Sequence, residues 1–377
     1  MTERFKLAGF TAISMLVLAS VLTGVSASLL DMASDFGIAV SRAGVFYTLH
    51  FIGFMGFIAL SLVLHGLRAR LILVTAFAGV YAIALVGAGL SGGFLVVAIA
   101  LVFAGGSGGV IESHTATLQV MTSKNEKEAG KLVSATQAFF AVGALLTPVY
   151  LSMETQLGAD WRYLFLGLSV IAALAVVVGL TMRTARFAYV HGESKPFNWK
   201  PLIRVSIAMA LYVGAEVTIF GWAPTVMELH HGVPVERARL APTLFWIGVL
   251  GGRLIVARLT TRFSPTDLLR VSSLTGVAAS VMLVVVSAEY LIWIALALAS
   301  LACAGIWPLI VATTGDAGHE TGTTITVAAG GLGASIFPYL SGRIAEILPG
   351  QLVPVGAAPL LFLVFLLTRT KTAGAPR

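Results

Sequence analysis

Long apolar stretches alternate with short polar connections along the whole chain, and each stretch reaches the roughly 20 residues that a helix needs to cross a bilayer. Twelve membrane-spanning helices are predicted, near residues 8–33, 43–64, 70–90, 93–119, 131–152, 162–182, 202–227, 241–259, 268–287, 289–312, 323–343 and 351–368. The 377 residues leave about 31 for each span with its connection. Arg4 and Lys6 precede the first apolar run, which ends in Gly24, Val25, Ser26 and Ala27 and so has the outline of a secretory signal. It is longer than the usual signal core of about 7 to 15 residues, and its removal would leave an odd number of spans. It is read as a retained first span.

The polar connections carry a topological signal. With the N-terminus inside, 19 of the 24 Lys and Arg residues fall in segments on the cytoplasmic side and 5 on the other. The positive-inside rule then places both termini in the cytoplasm. The longest connection carries Arg183, Arg186, Lys195 and Lys200 with Gly192, Ser194 and Pro196, which reads as a solvated linker. The expected organisation is an N-terminal six-helix half over 1–182, a cytoplasmic linker over 183–201 and a C-terminal six-helix half over 202–377.

Composition narrows the class. Residues are 58% hydrophobic and 11% charged, with a mean hydropathy of +0.94, against about 25% charged in soluble domains. The class is therefore an all-α integral membrane protein, and disorder, coiled coil and nucleic-acid binding are set aside. The formal charge of +7 reports topology rather than a polyanionic partner. A single cysteine, Cys303, lies inside an apolar run, so no intramolecular disulfide and no cysteine metal site is available. No GxxxxGK[ST] follows a strand, so ATP-driven transport lacks a motif and no cofactor is implied.

Comparison of the halves finds a repeat. GALLTP (143–148) in span 5 recurs 190 positions later as GASIFP (333–338) in span 11. LHFIGFMG (49–56) in span 2 is echoed by LFWIGVLG (244–251) in span 8, at an offset of 195, and Gly24 by Gly214 in spans 1 and 7. Small residues recur wherever membrane helices pack closely, but three corresponding pairs make chance a poor account. Two six-helix halves in parallel repeat resemble the major facilitator superfamily, whose fold implies a substrate site near the midplane and alternating access.

Most of the 17 acidic residues lie in loops or at span edges, and Asp31, Glu112 and Glu216 do not. A carboxylate at the bilayer centre costs about 2.5 to 3.5 kcal/mol on insertion scales, so such groups usually face a cavity and mark a transport path or proton relay. The plain alternative is a buried carboxyl held by interhelical hydrogen bonds. Sugar sites combine a flat apolar ring with orienting polar groups, which makes Trp222, Trp246 and Trp307 candidates beside the alternatives of belt or core residues. His50 and His114 are also within spans. His114 follows Glu112 by two, so their side chains diverge by about 200° around the helix, and a structural role is the simpler reading.

Around these acids the sequence resembles a narrower family, the fucose-proton symporters. The resemblance is carried by GVSASLLD (24–31) in span 1, GSGGVIES (106–113) in span 4 and YVGAEV (212–217) in span 7, with Gly252–Arg253 in span 8 and GIWP (305–308) in span 10. It implies that Asp31 and Glu112 are the protonatable pair that couples protons to sugar. Ser28, Gln137, Phe140, Glu216 and Trp307, with Tyr212 beside them, are read as bordering the substrate, and Gln137 falls on a glutamine of that family. Ser28, Leu29 and Leu30 stand near where the family carries asparagines, Ser113, His114 and Thr115 where it has an alanine and an Asn-Pro pair, and Phe140 where an asparagine is usual.

Gly105, Gly106, Gly108 and Gly109, and again Gly330, Gly331 and Gly333, suit helices that approach and slide. Arg68 with Arg70, and Arg253, Arg258 and Arg262, occupy corresponding inner connections and resemble a reduced form of the superfamily's gating motif, with plain positive-inside anchoring as the alternative. No nucleophile is paired with a base, so an enzyme is not expected. The expectation is a monomeric secondary transporter of the bacterial inner membrane, coupling protons to a sugar-like small molecule. An efflux antiporter for an amphipathic drug or metabolite, and a membrane-embedded sensor, remain as alternatives.

Overall fold

The computed structural model describes residues 3–61, 67–122, 126–158, 160–182, 199–314, 319–347 and 349–369. Most of the connection expected over 183–201 lies outside them. Among the described residues, eleven helices are long and apolar enough to cross a membrane, and a twelfth apolar helix over Leu352–Thr368 is shorter. The described chain is helical nearly throughout, and it divides into two compact units. The first comprises Met1–Glu193 with Val235–Thr243, the second Ser194–Pro234 with Leu244–Arg377.

In the first unit the spans are α1 (Glu3–Ala27), followed by the short α2 (Leu29–Asp35), then α3 (Val45–Ser61), α4 (Leu67–Leu90), α5 (Phe94–Thr122), α6 (Glu126–Gln156) and α7 (Arg162–Thr181). The first span was expected to run through residue 33, but the helix is interrupted at Ser28. There the hydroxyl donates to the Gly24 carbonyl at 2.5 Å, the back-bonding by which serine bends helices. Asp31 consequently sits on α2, beyond the span.

The second unit holds α8 (Trp199–His231), α10 (Ala241–Leu259), α11 (Pro265–Val285), α12 (Glu289–Ala304), α13 (Ile306–Thr314), α14 (His319–Ile344) and α15 (Ala357–Arg369). The one-turn α9 (Val235–Ala238) and the first residues of α10 belong to the first unit. Two spans depart from a single continuous helix. The tenth breaks at Gly305 into α12 and α13, and the twelfth opens with a 3-10 segment, Gly350–Gly356, that contains Pro354. Proline lacks the amide hydrogen a regular ladder needs, which confines the α-helix to the residues after it. At α11 the start is set locally: Ser264 accepts the Asp267 amide at 3.1 Å, with Pro265 at the first helical position.

The same pairings recur inside each unit. The first packs α1 on α6, α3 on α5 and α4 on α7; the second packs α8 on α14 and α11 on α15, while Gly248 and Gly252 bring α10 against α12. Of the repeat glycines, Gly24, Gly53, Gly143, Gly214, Gly248 and Gly333 sit in close helix contacts, whereas Gly56 and Gly251 face open space. A Cβ at Gly143 would lie 2.3 Å from the Leu16 carbonyl oxygen, and one at Gly333 would lie 1.7 Å from that of Ala210. Both distances are shorter than any nonbonded contact, so only glycine lets the two backbones meet here.

Candidate functional site

Chemistry in the first unit concentrates at the end of α1. Asp31 on α2 pairs with the guanidinium of Arg239, just after α9. Arg239 is 7% exposed, and its other terminal nitrogen donates to the Thr155 hydroxyl and the Leu151 carbonyl of α6. The segment is held further by Ser152, which donates to the Glu236 carbonyl at 2.7 Å, and by Thr243, which donates to the Leu145 carbonyl at 2.9 Å. Burial raises the Asp31 carboxyl above the usual aspartate range; Arg239 opposes this only in part, and Asp35 and Asp160 add to the rise.

One helical turn along, Asp35 behaves in the opposite way. It accepts the Trp161 indole at 2.9 Å and Arg162 at 2.7 Å, and Arg162 lies over the Trp161 ring at 4.4 Å. Slight burial would raise the carboxyl, but these donors outweigh it and hold Asp35 below the usual range.

Deeper in the unit, His114 of α5 is buried between Arg70 and Ser61. Arg70 donates to Nδ1 at 2.8 Å, and Nε2 lies 2.9 Å from the Ser61 hydroxyl. An arginine can only donate, so Nδ1 is an acceptor and the Nε2 hydrogen points to Ser61. The ring is thereby fixed as a neutral structural link between α3, α4 and α5. Glu112 is half-buried on the same helix. His50 is buried on α3, where its backbone carbonyl abuts Gly105.

Ser28 is fully buried, and its hydroxyl turns to its own helix. Phe140 is half-buried on α6, and Gln137 belongs to α6 but its side chain lies outside the described residues.

The second unit carries a different arrangement at the middle of α8. Tyr212 and Glu216 stand four residues apart, hence on one face. The tyrosine oxygen lies 2.5 Å from Glu216 Oε1 and 3.0 Å from the Cys303 carbonyl of α12. Both residues are buried, Tyr212 to 1% and Glu216 to 8% exposure. Trp222 is also fully buried, and its indole donates to the Pro338 carbonyl of α14 at 3.0 Å. Trp246 packs against Phe220 and Phe245 at 5.9 and 6.1 Å between ring centres. Trp307 is half-buried beside Pro308 at the start of α13.

Of the residues singled out in the sequence, the structure therefore joins Tyr212 to Glu216 and gives His114 and Trp222 partners of their own. It adds Arg239, which the sequence presented as one more basic residue in a connection. Its partner lies 208 positions away, and the only local sign was an arginine among apolar residues. Among the described residues no group of three or more His, Cys, Asp or Glu side chains could hold a metal ion.

A family model, the Major Facilitator Superfamily, matches residues 9–330. The chain belongs to that superfamily. This major facilitator chain is thus a multi-pass membrane protein and a transporter rather than an enzyme. Its fold is similar to solved structures of a D-xylose-proton symporter, at 13% identity over 97% of each chain with a TM-score of 0.79. It is similar also to the nucleoside transporter NupG, at 13% identity over 98% of this chain and 100% of that one with a TM-score of 0.73. A bacterial homolog of the human lysosomal transporter Spinster matches at 14% identity over 97% of each chain, with a TM-score of 0.73. Comparison with curated proteins finds no match in sequence.

Proposed function

We propose that this transporter is a proton-coupled symporter of a sugar or similar small polar solute, related to the fucose-proton symporters. In this reading it works as a monomer by alternating access in a bacterial cytoplasmic membrane, with both termini inside. The observation that carries it is Asp31, a carboxylate whose burial favours proton binding while a buried arginine, Arg239, is poised on its charged form. Asp31 and Glu112 take up protons from outside. Protonation of Asp31 removes the charge that holds Arg239, and so changes how the segment over 235–243 is anchored. Return of both acids to charge on the inside resets the cycle. Ser28, Gln137, Phe140, Glu216 and Trp307 border the solute, with Tyr212 supporting Glu216. The sugar and nucleoside transporters of like fold support the solute class.

A second reading, an efflux antiporter for an amphipathic solute, is favoured by Leu29, Leu30 and Phe140, which are apolar where the fucose-proton symporters carry amides. Uptake into liposomes under an inward proton gradient separates the two, with labelled hexoses, deoxyhexoses and amphipathic cations as solutes. Symport predicts accumulation of a sugar that is lost in Glu112→Gln and Asp31→Asn while solute exchange survives in part. Full accumulation by Glu112→Gln would sink the coupling assignment. Movement of an amphipathic solute only under the reversed gradient would establish the exporter.

A further inference from the structure

The contacts of Tyr212 pose a problem of proton accounting. Its hydroxyl carries one hydrogen, yet its oxygen lies within hydrogen-bonding distance of two groups, Glu216 Oε1 and the Cys303 carbonyl oxygen. A carbonyl and a carboxylate only accept, so with Glu216 ionised both would compete for the same hydrogen. The carbonyl lies in the last turn of α12 and also takes the Gly305 backbone amide, so Tyr212 is its second donor. A protonated Glu216 resolves the conflict. The acid hydrogen is then donated from Oε1 to the Tyr212 oxygen, the tyrosine hydrogen goes to Cys303, and each contact has one donor and one acceptor.

The surroundings point the same way. Glu216 is buried, and among the described residues it forms no ion pair. A carboxylate in such a place loses its hydration with no cation in contact to replace it. The titratable and charged groups that face it are Tyr212 on α8, Cys303 on α12 and Arg253 on α10. Arg253 acts on it only from beyond ion-pair distance, and α13, α14 and α15 bring no ionisable group to bear among the described residues.

We propose that Glu216 is a proton-binding site of the second unit, occupied by a proton in this conformation, and that its protonation state decides which acceptor the Tyr212 hydroxyl serves. Protonated, it leaves Tyr212 on the Cys303 carbonyl at the end of α12. Ionised, it takes the tyrosine hydrogen for itself and leaves that carbonyl with the Gly305 amide alone, beside the break in span 10. The inference deepens the symport reading by adding a titrating site to the one at Asp31 and Glu112, but its test does not depend on transport.

Infrared difference spectroscopy of the full chain in lipid bilayers, titrated with acid and base, reads the proton directly. The wild type at neutral pH should show a protonated-carboxyl C=O stretch that Glu216→Gln lacks and that is lost on alkaline titration. Tyr212→Phe should keep that band but shift it, because the acid loses its hydrogen-bond acceptor. Should Glu216→Gln not fold, the shift between wild type and Tyr212→Phe identifies the band instead. If the neutral-pH difference contains only carboxylate stretches, or if Tyr212→Phe leaves every carboxyl band in place, the proposal is overturned. A Glu216 band in a protein that accumulates no solute under a proton gradient would remove the symport reading while this one stands.

Discussion

The two units make the same helix pairs and carry their acids in contrasting ways. In the first, the carboxylates of α2 sit at the end of a span, and each is met by an arginine: Asp31 by Arg239 and Asp35 by Arg162. In the second, Glu216 sits mid-span, and a neutral hydroxyl meets it. A shared scaffold thus sets where helices touch, through Gly143 and Gly333, without setting how charge is stored. Ionic partners suit the margin, where water moderates the cost of charge. Inside the span, where ion-pair desolvation is most costly, a proton is the cheaper counter-charge.

The strongest test of the shared scaffold is a leucine in place of either repeat glycine. The obstacle in both cases is a backbone carbonyl, which cannot rotate away, so Gly143→Leu and Gly333→Leu should each exceed the about 1–3 kcal/mol typical of overpacking. Neither should yield monodisperse protein on size-exclusion chromatography, and a variant that tolerates one but not the other breaks the equivalence of the two contacts.

A smaller effect is expected at the ionic margin. Arg239→Ala leaves Asp31, Thr155 and Leu151 without their donor and should cost about 1–3 kcal/mol, a figure held down because Asp31 is in part exposed. Thermal unfolding in detergent should show a lowered Tm, with Arg239→Lys lying between the two. An unchanged Tm for Arg239→Ala would mean that the pair contributes nothing to holding the segment over 235–243.

The smallest effect, and the sharpest in sign, concerns the two aspartates of α2. Asp35 has a lowered pKa, so its contribution to stability is present above the usual aspartate value and fades as pH falls through its folded value. Asp31 has a raised one, so its contribution is present below the usual value and is lost as pH rises through its folded value. In a pH series of Tm, Asp35→Asn should flatten the acid limb and Asp31→Asn the rise-of-pH side of it. Identical profiles for the two variants would erase the distinction.

The spans and the superfamily were legible because lipid demands long apolar helices, and the repeat left its mark in glycines that the backbone contacts require. The Tyr212–Glu216 contact was not read as a pair in the sequence, although a spacing of four places both residues on one helical face. Arg239 was not legible either. An arginine in a connection has the same appearance whether it marks topology or reaches a carboxylate 208 positions earlier. The interruption at Ser28 was also hidden, because serine occurs within many uninterrupted membrane helices, and with it went the position of Asp31 beyond the span.

The break in span 10 has a mechanical consequence. Pro308 brings no amide hydrogen to the Ala304 carbonyl, while Leu309 still reaches Gly305 at 3.1 Å. A hinge at this level therefore severs no ladder bond at Pro308, because none was ever made there. The half-helix that carries Trp307 can tilt with one fewer ladder bond to strain than an unbroken span would have.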